Sequence, residues 1–233
     1  MPPESAFSQP PSSASSPAEP QPGVGGDAGA GPALALLSRG LELWVRQQCQ
    51  SVERLEIQLE GSIGQLLRGR LEGVRLTARR VSFQQLELER VELRSGPIQV
   101  RMGRLWRSRN VELEAGFKLC GCVAFSGEGL NRSFAGPAWS PLADQLAETI
   151  VGFGPLAGLT IEEDHLLLQA LPAGGGDPVQ GRASLAINTE GLLLRRLDGA
   201  SSLQLPMDPA ICIETVELGG GVLQLSGHAQ VTP

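Results

Sequence analysis

Between Leu76 and Leu93, apolar side chains recur in pairs, and this spacing restricts the possible folds more than any other feature of the chain. Members of a pair lie two residues apart and successive pairs are separated by three, so the pattern repeats every five residues. A helix repeats every 3.6 residues and a strand every two. The segment therefore fits neither structure without a local correction.

Two architectures can accommodate a step of five. In a pentapeptide-type solenoid, the residue two positions before each central apolar residue also points inward, and those positions hold Val74, Arg79, Gln84 and Glu89. Three bulky polar side chains in a packed interior would cost several kcal/mol each unless they were paired. The pattern therefore excludes the solenoid.

The alternative is a strand in which one extra residue, at a β-bulge or a chain reversal, returns the next pair to the same face. The same spacing recurs at Ile211, Ile213, Val216 and Leu218. Bulges bend and twist a strand. We therefore expect a strongly curved sheet with one apolar and one charged face. Each spacing of three can be either a β-bulge or a chain reversal.

Two segments have helical spacing. Residues 33–48 follow Pro32 and place apolar side chains at Leu34, Leu37, Leu41, Trp44 and Val45. Residues 140–152 begin with a proline at the second position and end at a glycine, with Leu142, Leu146 and Ile150 on one stripe. The rest of the chain alternates in short strands. We predict an α+β domain in which a long, strongly curved antiparallel sheet wraps around one or two amphipathic helices.

Residues 1–32 are dominated by Pro, Ser, Gly and Ala, and we expect a disordered tail because they carry too little apolar surface to offset the entropy of ordering. Residues 33–233 suffice for a single domain. The tail lacks the basic start and apolar core of a signal peptide, and the apolar run at 33–37 is too short to cross a bilayer. We predict a cytoplasmic protein that contacts membranes peripherally.

Charge is concentrated in residues 68–109, which hold eleven arginines against four glutamates, a local net charge of +7 in a chain of net charge −6. Guanidinium groups bind phosphates in a bidentate manner, so this region is a candidate for lipid headgroup contact, with a solvated strand face as the alternative. Nucleic acid is the weaker partner because no recognition helix appears and no aromatic residues interleave with the arginines.

The sequence shows no pattern typical of a catalytic or metal site. The four cysteines and two histidines lack the spacing of common zinc sites, so we expect buried, reduced thiols and no metal or cofactor. Asp208, between Pro206 and Pro209, is more easily explained as a turn residue than as a catalytic carboxylate. His165 follows three acidic residues that suggest a solvated hairpin turn. We predict a protein that is not an enzyme.

Several stretches together resemble the LmeA-like family of bacterial phospholipid-binding proteins. They are "LEGSIGQLLRGRLEGVRLTARRVSFQQLEL" (59–88), "GEGLNRSF" (127–134), "WSPLADQLAETIVGFGPLAGLTIEEDHLLL" (139–168) and "LQLPMDPAICIE" (203–214). The most specific pieces are Gly-Ser-Ile-Gly, the Leu130–Asn131 pair and the loop Leu205, Pro206, Met207, Asp208, Pro209. The resemblance implies phospholipid as the ligand and a fold similar to tubular lipid-binding domains, with a curved sheet around a helix.

Residues and resemblance together predict a non-enzymatic protein that carries or senses phospholipid at a membrane surface through an apolar groove. The candidate groove residues are Phe83, Leu86, Leu88, Val91, Leu93, Leu142, Leu146 and Ile150. The candidate headgroup contacts are Arg75, Arg79 and Arg80. The alternative is an assembly or scaffold protein whose apolar face binds a partner protein.

Overall fold

A computed structural model describes residues 32–66, 68–99 and 113–233 of the 233-residue chain. The helices are α1 (Pro32–Gln48), α2 (Ile63–Leu66), α3 (Gly127–Phe134) and α4 (Ser140–Ile150). The strands are β1 (Ser51–Glu60), β2 (Arg70–Leu71), β3 (Gly73–Phe83), β4 (Leu86–Ser95), β5 (Ile98–Gln99), β6 (Phe117–Ser126), β7 (Leu156–Ile161), β8 (Leu166–Ala170), β9 (Val179–Asn188), β10 (Gly191–Arg196), β11 (Ser202–Gln204), β12 (Ile211–Gly219) and β13 (Val222–Val231). The disordered tail is expected over residues 1–32. Residues 1–31 lie outside the described residues, and Pro32 begins α1.

The larger sheet has six antiparallel strands in the order β1-β3-β4-β6-β13-β12. Its register aligns apolar residues across all six strands, as in the row Leu55, Ala78, Val91, Val123, Leu225 and Val216. Charged and polar residues alternate with them, because successive side chains in a strand point to opposite faces. One face of the sheet is therefore apolar and the other is polar, as the sequence predicted.

The spacing of three between apolar pairs has three different structural origins. Between Phe83 and Leu86 it is a two-residue hairpin, in which Gln84 and Gln85 have φ of 49° and 63°. Such a turn matches the twist of the flanking strands. Between Ile213 and Val216 it is a β-bulge, marked by a register shift against β13. The predicted bulge is confirmed at this position.

The third origin is a kink that crosses three strands without any register shift. In β3 the alternation of buried and exposed residues is interrupted between the buried residues Ala78 and Val81, because Arg79 and Arg80 are both exposed. Arg80 has φ of 47°. β1 and β4 change phase at the same level, since Glu53–Arg54 and Glu89–Arg90 are both exposed. Because all three strands shift together, none of them gains a residue relative to its neighbour.

The smaller sheet has five antiparallel strands in the order β11-β10-β9-β8-β7, and α4 packs against it. Ile150 of α4 is fully buried, and Gly181 of β9 lies so close that a Cβ there would stand 2.7 Å from the Ile150 carbonyl oxygen. The first buried cluster joins α4, this sheet and Leu223 of β13, with Phe125 and Leu225 of the larger sheet packed at its margin.

A second buried cluster lies where α1 packs against β1. It contains Leu55, Ile57, Ala78, Val81 and Val91, and Leu41 and Val45 of α1 pack against it. The two predicted helices are thus present, at Pro32–Gln48 and Ser140–Ile150. Trp44, counted with the apolar positions of α1, is 58% exposed and does not join the cluster.

The α+β class and the antiparallel sheets are confirmed, since antiparallel strands are the main element of the described residues. The expected strong curvature is not seen, since the sheets are neither closed nor strongly curled. The physical reason lies in the phase changes. The hairpin and the in-register kink add no residue to any strand, and the extra residue in the larger sheet falls in its edge strand β12.

Candidate functional site

Among the described residues, nothing joins the apolar face of the larger sheet to a buried cluster at one end of β6, β13 and β12. Six apolar residues of this end belong to neither buried cluster, and we call them the open face: Phe117, Leu119, Ile211, Ile213, Ala229 and Val231. Ile211 is 43% exposed and the other five are half-buried. They share a face because the register pairs Leu119 with Ala229 and Ala229 with Ile211.

Two glycines lie beside the open face. Gly121 of β6 is the register partner of Gly227 on β13. A Cβ on Gly121 would collide with the side chain of Leu93, and one on Gly227 would collide with the backbone of β12 at its bulge. Neither position tolerates a side chain. The Leu93 side chain and the β12 backbone therefore lie close against this row of the sheet.

The predicted groove residues do not form one surface. Leu146 and Ile150 are 5% and 0% exposed inside the first cluster. The others divide between the first cluster (Leu86, Leu142) and the second (Leu88, Val91, Leu93), while Phe83 is 41% exposed at the hairpin. Of the eight, Leu93 adjoins the open face. The open face itself was not predicted, because its strands are separated in sequence by about half of the chain.

The predicted headgroup arginines lie on the polar face of β3. Arg75 bonds Glu60 at 3.4 Å and Arg80 bonds Glu53 at 2.7 Å. Arg79 has no carboxylate within 4.0 Å among the described residues. Four of the eleven arginines of the basic region lie outside the described residues, namely Arg101, Arg104, Arg107 and Arg109. Glutamates of β1 and β4 offset much of the remaining charge.

The Leu130–Asn131 motif joins the two sheets. The Asn131 side chain donates to the carbonyl oxygens of Gly127 and Leu159 and accepts from the Leu159 N–H, each at 2.8 Å. β7 is an edge strand, so the amide satisfies backbone groups that a neighbouring strand would otherwise pair. In the same helix, the Ser133 hydroxyl accepts from the Glu87 N–H at 2.9 Å. The motif is thus structural.

A polar cavity of about 240 Å³ lies where α3 meets the kink. Arg80 and Arg132 line it, together with Glu87 and Glu89. Arg132 bonds Glu87 and Glu128, and these bonds raise the pKa of its guanidinium above the ordinary value, the Glu87 hydrogen bond most of all. Since both cavity arginines are paired and few apolar groups line the space, it suits neither an acyl chain nor a free anion.

The loop at 205–209 is held by its own backbone. The Asp208 carboxylate accepts from the Ala210 N–H at 2.8 Å, and the Asp208 carbonyl accepts from the Ile211 N–H. This is the turn role that the sequence favoured. Pro206 and Pro209 are exposed, and Met207 packs over Gly191. The loop therefore positions the start of β12, where Ile211 enters the open face.

His165 and the cysteines lie at other surfaces. His165 bonds Asp164 in an exposed turn, and this hydrogen bond lowers the pKa of the aspartate. All four cysteines are free. The expectation of buried thiols is wrong for Cys120 and Cys212, which are exposed because their strand positions face the polar side of the sheet. Within the described ranges, no three His, Cys, Asp or Glu side chains are grouped to hold a metal ion.

A membrane-spanning helix is not found among the described residues, none of whose helices is both long and apolar enough to cross a bilayer. No curated protein and no solved structure matches the chain. A family model does match: the LmeA-like phospholipid-binding model aligns with residues 28–228, which include α1 to α4 and all of β1 to β13 except the last residues of β13. The chain belongs to the LmeA-like phospholipid-binding family.

Proposed function

We propose that this protein is a non-enzymatic phospholipid-binding protein that holds acyl chains against the open face. The observation that carries the proposal is an apolar sheet face that continues across six strands but that, in residues 32–66, 68–99 and 113–233, joins a buried cluster over only part of its area. Contiguous apolar patches on a protein surface, in contrast to single apolar side chains, are typical of interaction sites.

The chemistry of the open face suits an acyl chain. Its side chains are aliphatic apart from Phe117, and the two glycines between Leu93 and Ile213 add no polar side chain to it. Transfer of each CH₂ from water to an apolar surface stabilises by about 0.8 kcal/mol. A lipid leaving a bilayer only exchanges one apolar environment for another, so the protein can load and release it near balance. Such balance suits a carrier or sensor that contacts a membrane peripherally.

The position of the open face changes the roles proposed for the groove residues that the sequence predicted. Leu93 remains a lining residue, and Phe83, Leu86 and Leu88 lie along the same apolar face toward the hairpin. Leu142, Leu146, Ile150 and Val91 act through packing, since they hold α4 and the strands that carry the open face. A lipid that extended beyond the open face would contact the half-buried side chains of Leu86 and Leu88 before any fully buried side chain.

The test compares two substitutions in one strand. Ile213 faces the apolar side of β12 and Thr215 faces the polar side, since Thr215 is the register partner of Ser226. Ile213→Glu and Thr215→Glu each add one negative charge next to Glu214. We expect native mass spectrometry of the wild-type protein and of Thr215→Glu to show co-purified phospholipid, and Ile213→Glu to lose it. Circular dichroism checks that both variants fold.

Three outcomes decide between the candidates. Phospholipid on the wild type but not on Ile213→Glu supports the proposal. A wild-type protein that carries no phospholipid and binds no liposomes refutes it. If lipid is absent and Ile213→Glu instead abolishes the binding of a stoichiometric protein partner, the open face belongs to an assembly or scaffold protein.

A further inference from the structure

The polar face of the larger sheet carries a row of three arginines. Register places Arg54 of β1 opposite Arg79 of β3, and Arg79 opposite Arg90 of β4. All three are exposed, and the row beside them on the other face consists of the buried residues Leu55, Ala78 and Val91. Neighbouring strands lie about 4.8 Å apart. The three guanidinium groups thus start from Cα atoms within about 10 Å of one another.

This arrangement opposes folding unless something compensates it. Like charges directly across a strand pair are destabilising. Arg90 bonds Glu92, but neither Arg54 nor Arg79 has a carboxylate within 4.0 Å among the described residues. Within the part of the chain that the structure describes, Arg54 and Arg79, which are adjacent in the row, are therefore left without a charge partner.

The adjoining row shows that the sheet can balance its charges. Glu53, Arg80 and Glu89 lie at the same level of β1, β3 and β4, and Arg80 bonds Glu53 at 2.7 Å. The in-register kink exposes both rows one after the other. Arg80 has a positive φ, which costs a non-glycine residue free energy and is common at functional sites. A row with two glutamates and one arginine thus lies beside a row of three arginines.

The other charges on this face limit what the row can bind. Glu56 and Glu92 lie two residues from Arg54 and Arg90 on the same strands. Farther along, Glu60 takes both Arg75 and Arg94. Glutamates on both sides thus interrupt the positive charge of this face, so the row suits separate phosphate groups better than a long polyanion.

We infer that Arg54, Arg79 and Arg90 bind the phosphate groups of an anionic phospholipid surface. Guanidinium forks match phosphate oxygens geometrically, and the flat, exposed row presents three of them in one direction. This inference extends the proposed function, because it assigns headgroup contact to the face opposite the open face. Docking through the arginines leaves the open face free for acyl chains, so attachment and acyl binding are separable.

The experiment measures sedimentation of the full chain with vesicles. One set contains phosphatidylcholine alone and the other phosphatidylcholine with phosphatidylglycerol. The test variant is Arg54→Gln/Arg79→Gln. The control is Arg182→Gln/Arg195→Gln, which removes the same charge from exposed arginines of β9 and β10. The four arginines at 101–109 are present in both variants, so their contribution cancels in the comparison.

We expect Arg54→Gln/Arg79→Gln to bind the anionic vesicles about five- to twenty-fold more weakly than the control, since each basic side chain at an anionic surface contributes up to about 1 kcal/mol. The test variant should keep its co-purified lipid, and Ile213→Glu should keep its vesicle binding, so each proposal fails separately. Equal binding by test and control variants overturns the inference. So does full competition by inorganic phosphate or by single-stranded DNA, which would assign the row to a free anion or to nucleic acid.

Discussion

Replacement of Asn131 tests whether α3 holds the two sheets together. Asn131→Leu has a similar volume but removes three hydrogen bonds of 2.8 Å. The Gly127 carbonyl keeps its place in the helix, whereas the N–H and C=O of Leu159, which is 5% exposed, lose their partner. A buried N–H or C=O group without a hydrogen-bond partner lowers the free energy of unfolding by about 1–3 kcal/mol. We expect the free energy of unfolding to fall by about 2–4 kcal/mol.

The assay is urea unfolding followed by far-ultraviolet circular dichroism. Asn188→Leu is the matched control, because it removes the same amide from exposed bonds to Gln204 and Glu190 and should cost less than about 1 kcal/mol. A further variant, Asn131→Asp, keeps the acceptor but places a carboxylate against two carbonyl oxygens. These oxygens raise the pKa of the introduced carboxyl, so its penalty should be largest at neutral pH and diminish as the pH falls below that pKa. A loss under about 0.5 kcal/mol for Asn131→Leu would refute the structural role.

Two further substitutions test local features of the fold. Gly181→Ala places a Cβ against the Ile150 carbonyl of α4 and should lower the free energy of unfolding by about 1–3 kcal/mol in the same urea titration. The control Gly174→Ala, whose Cβ would have no atom within 4 Å, should change it little. Equal effects would show that α4 is not packed tightly on β9. Gln84→Asn/Gln85→Gly supplies residues suited to positive φ and should stabilise by about 1 kcal/mol, measured as a higher melting temperature in calorimetry. A lower melting temperature would contradict the hairpin geometry.

The local sequence pattern was sufficient to predict the helices and strands and the side of each that is apolar. The alternation of Val91, Leu93 and their neighbours predicted an apolar and a polar face, and both predicted helices are present. These properties depend on which side of one segment is buried, so periodicity along the chain reveals them. The predicted Asp208 turn is likewise a short-range property.

The candidate sites depended on contacts that no local pattern contains. The pairing of Leu119 with Ala229 forms the open face, and the pairing of Arg54 with Arg79 forms the arginine row. The residues of the first pair are 110 positions apart. Register between distant strands is set by the packing of whole sheets, so even the complete spacing pattern could not identify these partners. The site residues predicted from sequence therefore share with these proposed surfaces one arginine of the row, Arg79, and one residue beside the open face, Leu93.

Periodicity along the chain was enough to predict strands with one apolar side, because side chains two residues apart in a strand share a face. Tertiary structure alone decided how each spacing of three is made: a hairpin at Gln84–Gln85, an in-register kink at Arg80 and a bulge after Ile213. The three look alike in sequence because each restores the same face. They differ only in what the neighbouring strand does, and that neighbour is chosen by the fold.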